Sequence, residues 1–182
     1  MSTPIYAYAI PFEWLYLAWT GQKEMVAKFR AALGADCTEP VERFFARKPL
    51  VDGDETVNVL ERLCQALGRR MPGPLGGGIT TTFMEKVDKA LADGGMPDNF
   101  RLSNLVFAGP PFVNLPDPPE SPSVGYITEE VLAMAIERFA AEPPTSDDSA
   151  VDEVLSVLED WASLCRTLQA NVPPLGLIGI WG

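Results

Sequence analysis

Histidine is absent from this 182-residue chain. That removes the commonest general base and the commonest metal ligand. Serine and cysteine triads that use histidine are excluded, as are histidine-containing zinc sites. Cysteine is scarce too: Cys37, Cys64 and Cys165 are odd in number, far apart and form no C-x-x-C. A disulfide framework is therefore not expected, and a reducing cytoplasm suits such a chain. No metal site, cofactor or catalytic residue is expected. No run approaches the ~18 apolar residues that a membrane helix requires. The opening "MSTPIYAYAI" lacks the basic n-region and long apolar stretch of a signal peptide. The expectation is a cytoplasmic protein with no membrane partner.

What is present is an ordinary globular composition, 47% hydrophobic and 21% charged. A chain of this size buries about 70% of its unfolded surface, so it needs no metal or disulfide to fold. One domain over residues 1–182 is expected. The net charge of −11 is one-sided: residues 1–116 hold 13 acids and 12 bases, whereas 117–160 hold 12 acids and one base, Arg138. Such a field repels nucleic acid and anionic lipid and attracts cationic partners. The competing reading is a solvated face that maintains solubility. Asp117, Glu120, Asp147, Asp148, Asp152 and Glu153 are the candidate partner-binding residues.

The hydrophobic pattern predicts an α+β fold, mostly helical, with a small sheet that pairs the N-terminal and C-terminal strands. "IYAYAI" at 5–10 reads as a buried strand, and "GLIGIW" at 176–181 as another. Each alone would leave a row of unpaired backbone groups, so the two are expected to be neighbours. Between them, apolar residues recur at helical spacing. The stripes are Phe12, Leu15, Tyr16 and Trp19; Met25, Val26, Phe29 and Leu33; and Val57, Leu60, Cys64 and Leu67. A Thr82-x-x-Glu85 capping box predicts a helix burying Phe83, Val87 and Leu91. "NLVFAG" reads as a short strand or extended segment. Thr128 caps a helix with Val131, Leu132, Ala135, Ile136 and Phe139 inward. The last helix, opened by Ser149-x-x-Asp152, keeps its period from Val151 to Leu168.

"GPPFVNLPDPPESPSVGYITEEV", residues 109–131, carries six of the 17 prolines. Fully extended, such a stretch spans up to roughly 75 Å, more than the width of a small domain, so it must wrap. Its recurring apolar residues pin residues 109–127 to the body, and the prolines lower the entropy cost of fixing that path. Recognition by a proline-binding domain is disfavoured, because acids and no bases flank the P-x-x-P.

These pieces also carry a resemblance. "YAYAI" at 6–10, "GPP" at 109–111, "LPDPPESPSVGYITEEV" at 115–131 and "GLIGIW" at 176–181 resemble a family of small bacterial proteins of unknown function, itself distantly similar to YfbM-like proteins. The resemblance implies a cytoplasmic α+β domain, and it carries over no catalytic residues.

Two function classes remain. The first is a non-enzymatic protein-binding domain, an immunity- or antitoxin-like protein presenting its acidic face to a basic protein partner. The second is a small-ligand-binding protein or enzyme with a cleft near the Gly-rich loop 72–82. There Arg69, Arg70, Thr80 and Thr81 would supply the polar contacts. "GPLGGGITTT" is only a partial phosphate loop, because Lys86 lies inside the following helix and not in a G-K-[ST] terminus. "VDGDE" at 51–55 lacks the alternating ligands of a calcium loop and reads as a helix start.

Overall fold

A computed structural model of the chain describes residues 4–73, 75, 79–112, 114–116 and 122–181. The chain is α+β. A four-stranded antiparallel sheet lies between two layers of helices. The strands are β1 (Ile5–Ile10), β2 (Arg69–Arg70), β3 (Ser123–Ile127) and β4 (Gly176–Trp181), in the order β2-β1-β4-β3. The first and last strands are neighbours, as the sequence predicts, with Ile5 opposite Trp181 and Ile10 opposite Gly176.

Side chains alternate across a strand, and here the alternation sorts residues between two cores. Ala7, Ala9, Leu177 and Ile127 point into one; Tyr8, Ile10, Ile178, Ile180 and Val124 point into the other. Both faces are dry, so β1 and β4 read as continuous apolar runs without the polar interruptions of a half-solvated sheet.

The Tyr8 face is covered by α1 (Phe12–Trp19), α2 (Lys23–Leu33), α3 (Glu39–Phe45) and α4 (Gly53–Leu67). The Ala7 face is covered by α5 (Thr81–Asp93), α6 (Leu102–Phe107), α7 (Glu129–Ala141) and α8 (Ser149–Leu168). A turn of 3-10 helix, Gly34–Asp36, follows α2. Local chemistry sets several starts. Gln22 accepts a hydrogen bond from Met25 N at 2.7 Å to open α2. Asp52 accepts from Glu55 N at 2.9 Å to open α4, which explains "VDGDE" as a cap with acids in the first turn.

Five readings need correction. Residues 102–107 form a helix, not a strand. Asp88 of α5 accepts from the backbone N–H groups of Leu102 and Ser103, at 2.6 and 3.3 Å, and so supplies an N-terminal cap from another element. The α5 helix starts two residues early: Thr80, not Thr82, is the cap and accepts from Phe83 N, at 3.2 Å, and Met84 replaces Phe83 in the fully buried row. The α8 cap is Asp148, which accepts from Ala150 N, rather than Ser149. Tyr16 is 53% exposed, because α1 turns its Leu15–Ala18 edge inward. Finally, Leu75 is not simply loop: it exchanges backbone hydrogen bonds with Ile5 and prolongs the edge beyond β2.

The proline-rich segment is pinned at its ends. Phe112 stacks on Trp19 at 5.7 Å between centroids and meets Phe44 edge-on at 6.1 Å. Leu115 is buried, and Gly109 N donates to Val124 O at 3.0 Å. Beyond it, residues 123–127 form strand β3, inside the stretch that the sequence read as a segment pinned to the body.

Candidate functional site

The acidic segment folds into α7 and α8, which lie against each other on the Ala7 side of the sheet. Thr128 accepts from Val131 N at 3.4 Å and opens α7. Glu129, one residue on, accepts from Phe12 N at 2.9 Å and ties this helix to the start of α1. The inward row of α7 is the predicted one, Val131, Leu132, Ala135, Ile136 and Phe139. That leaves Glu130, Ala133, Met134, Glu137 and Ala140 in water.

In α8 the buried row is Val151, Val154, Leu155, Leu158, Trp161, Ala162 and Cys165. Trp161 Nε1 donates to Pro72 O at 2.8 Å, so the indole is satisfied and fixes the helix against the segment after β2. Helical period then forces Asp152, Glu153, Ser156, Glu159, Asp160 and Ser163 outward together. Four carboxylates share one solvent-facing surface of a single helix.

Little positive charge answers them. Arg138 is committed to Gly94 O at 2.9 Å and Glu142 at 3.0 Å. Lys86 of α5 pairs with Asp148 at 3.0 Å and holds that carboxyl below its ordinary range. Asp152 accepts from Ser146 N at 3.2 Å and has no ion pair among the described residues. Among the described residues, Glu130, Glu137, Asp147, Glu153, Glu159 and Asp160 have neither an ion pair nor a side-chain hydrogen bond.

The candidate partner-binding residues thus divide. Asp152 and Glu153 stand together on α8, and Asp147 is exposed just before it. Asp148 is half-exposed and engaged as cap and ion pair. Asp117 and Glu120 lie outside the described residues. Sequence reasoning did not single out Glu137, Glu159 and Asp160. The signal that could have found Glu159 and Asp160 is the spacing 152, 156, 159, 160, 163, complementary to the apolar row.

The ligand-binding alternative fares differently. Arg69 and Arg70 are exposed on the short edge strand β2, where charge discourages further strand pairing. The Arg70 guanidinium sits 4.3 Å from the Tyr6 ring centroid. Thr80 is used as the α5 cap, and Thr81 is exposed at the first helical position. Gly76, Gly77 and Gly78 lie outside the described residues. Among the described residues, none of these four lines the three cavities described next.

Those cavities are shallow. One of about 550 Å³ is lined by residues including Thr38, Asp52, Glu55 and Arg62. Its charges are spent internally: Glu55 on Arg43 and Val51 N, Arg62 on Asp36 at 3.3 Å. Another, of about 230 Å³, is bordered by the Arg30–Glu42 pair. The third, about 110 Å³, lies between α7 and α8.

Thiol chemistry has no foothold at neutral pH in the two interior cysteines. Burial pushes the Cys165 thiol up to about 12 and pushes Cys64 up further, so both stay protonated. Among the described residues no group of three or more acid or cysteine side chains is placed to hold a metal ion, and no helix is long and apolar enough to cross a membrane.

A family model described as a domain of unknown function (DUF7691) matches residues 41–182. The chain belongs to this family. The DUF7691 match begins inside α3 and takes in α4 to α8 and β2 to β4, hence the whole acidic surface, but not β1, α1 or α2. Comparison with the curated proteins and with the solved structures finds no match.

Proposed function

We propose that this protein is a non-enzymatic binding domain that presents the α7–α8 surface to a basic protein partner, in the manner of an immunity or antitoxin protein. We further infer a cytoplasmic protein of a bacterial family distantly like YfbM. The observation that supports the binding role is the set of unpaired carboxylates on α8: Glu153, Glu159 and Asp160, with Asp152 beside them. Surface carboxylates with local lysines or arginines contribute mainly to solubility and small ion pairs. An uncompensated set on a rigid helix instead makes a directional field. It accelerates encounter with a cationic surface and weakens that encounter as salt rises. The three cysteines are free thiols, as a reducing compartment allows.

The test is affinity capture from the host's extract with two baits, the wild type and D152N/E153Q/E159Q/D160N. The expected outcome is a basic protein retained by the wild type at about 50 mM salt, released near 500 mM, and not retained by the neutralised bait. Equal retention on both baits, or no specific partner at either salt, rejects the binding role.

A further inference from the structure

The groove between α7 and α8 has an apolar floor, Ile136, Phe139 and Ala162, all buried below the level of their neighbours. Its walls are the exposed Ala140, Glu159 and Ser163, with Arg166 at the end nearer the C-terminus of α8. At about 110 Å³ it is smaller than the ~150 Å³ cavity that accommodates a benzene ring. That space suits one branched aliphatic side chain.

Charge around the groove is polarised along α8. Glu159 stands in the wall, Asp160 follows it, and Asp152 and Glu153 lie about two turns toward the N-terminus. On the α7 side Glu137 is one turn before the groove residue Ala140. Arg166 supplies the sole opposite charge in the lining. An apolar socket inside a polar, charged surround is the arrangement in which a single anchoring side chain dominates binding energy.

We propose that this groove seats one aliphatic side chain of a lysine-rich amphipathic helix, with the lysines of that helix directed along α8 toward Asp152 and away from Arg166. The proposal rests on the acidic-face reading and adds to it a socket, an anchor and a direction. Charge complementarity selects the occupant: the surround attracts a cationic helix at the Glu159 end and repels one laid over Arg166.

The probe is a helical peptide of alanine and lysine, about 18 residues long, with one central leucine; a second peptide carries serine in place of that leucine. Both are titrated into labelled protein and followed by backbone amide shifts. The leucine peptide is expected to shift Ala140, Ala162 and Ser163. It should bind about tenfold tighter than the serine peptide, the gain for burying one leucine. Ser163→Trp, at an exposed position, should fill the groove and erase the difference between the peptides. Glu159→Lys should weaken both peptides several-fold, and Arg166→Glu should tighten both.

Equal, salt-sensitive binding of the two peptides overturns the socket and leaves the acidic-face reading standing. No binding of either peptide removes both. Self-association of the wild type that Ser163→Trp abolishes would assign the groove to a second copy of this chain and likewise overturn the proposal.

Discussion

Gly125 of β3 and Gly179 of β4 are register partners, and the backbone of α6 rests on both. A Cβ at Gly125 would lie 1.9 Å from Asn104 O, and one at Gly179 would lie 2.1 Å from Leu105 O. Ala7 of β1 continues the row of small residues on the other side of Gly179. This track across the sheet lets a six-residue helix sit far closer to the strands than side chains of ordinary size would permit.

Replacing either glycine by alanine therefore forces backbone to move, not merely a side chain. Gly125→Ala and Gly179→Ala should each destabilise by about 3 kcal/mol, the upper range for overpacking. For a domain of this size that is a fall in melting temperature of about 6–12 °C, measurable by circular dichroism. An unchanged melting point would mean that α6 is not seated on the sheet.

The family match begins at residue 41, yet β1 stands between β2 and β4 in the sheet. A fragment of residues 41–182 would expose the backbone of β4 along one side and leave β2 without its partner. It would also uncover the core that Leu15, Met25 and Phe29 fill. Such a fragment should give no cooperative thermal transition and should be rapidly degraded in limited proteolysis, whereas the full chain resists.

The three thiols should separate cleanly in reactivity. Cys64 and Cys165 are buried, with thiol pKa values raised by burial, while Cys37 is only half-buried, though burial and its hydrogen bond to Glu42 raise it as well. Iodoacetamide at pH 8 should modify Cys37 alone, and slowly, as read by intact mass; the other two should react only after denaturation. The sign for stability follows from these raised values. Folding holds the protons more tightly than the unfolded chain does, so this contribution is complete below pH 9 and is lost as pH rises toward 12.

At the acid end, Arg30 hydrogen-bonds Glu42 and holds its carboxyl below the ordinary 4.5. A depressed carboxylate contributes stability above its unfolded pKa and loses it as pH falls through the folded value. Both side chains are close to half-exposed, so the pair is worth less than about 1 kcal/mol. Glu42→Gln should thus cost little at pH 7 and should flatten the acid limb of a stability–pH curve below pH 4.5. A large loss at neutral pH would show that the pair does more than its exposure allows.

Phe112 should prove to be the anchor of the proline-rich segment. Its ring lies between Trp19 and Phe44, and Trp19 is faced in turn by the Arg47 guanidinium at 5.5 Å. Phe112→Ala should destabilise by about 2 kcal/mol, below the range for a fully buried ring because Phe112 is half-exposed. It should also red-shift the tryptophan emission, while Phe107→Ala, near Trp181 at the far end of the sheet, should leave the Trp19 environment untouched.

The sequence determined the long, strongly periodic elements. The buried rows of α2, α7 and α8 can be read from residue type alone, because burial on one face of a helix repeats every 3.6 residues over several turns. The pairing of the terminal strands follows from two isolated apolar runs that each need a partner. The concentration of charge in 117–160 is likewise a property of the string of residues. Tertiary structure decided the rest, wherever the satisfying group comes from far along the chain. α6 is a helix because Asp88 of α5 caps it, and β3 is a strand because β4 offers it backbone partners. The orientation of Tyr16 depends on which edge of α1 meets the core. The groove between α7 and α8 exists only once two separately legible helices are laid side by side, since a cavity is a relation between surfaces and has no local signature in either helix.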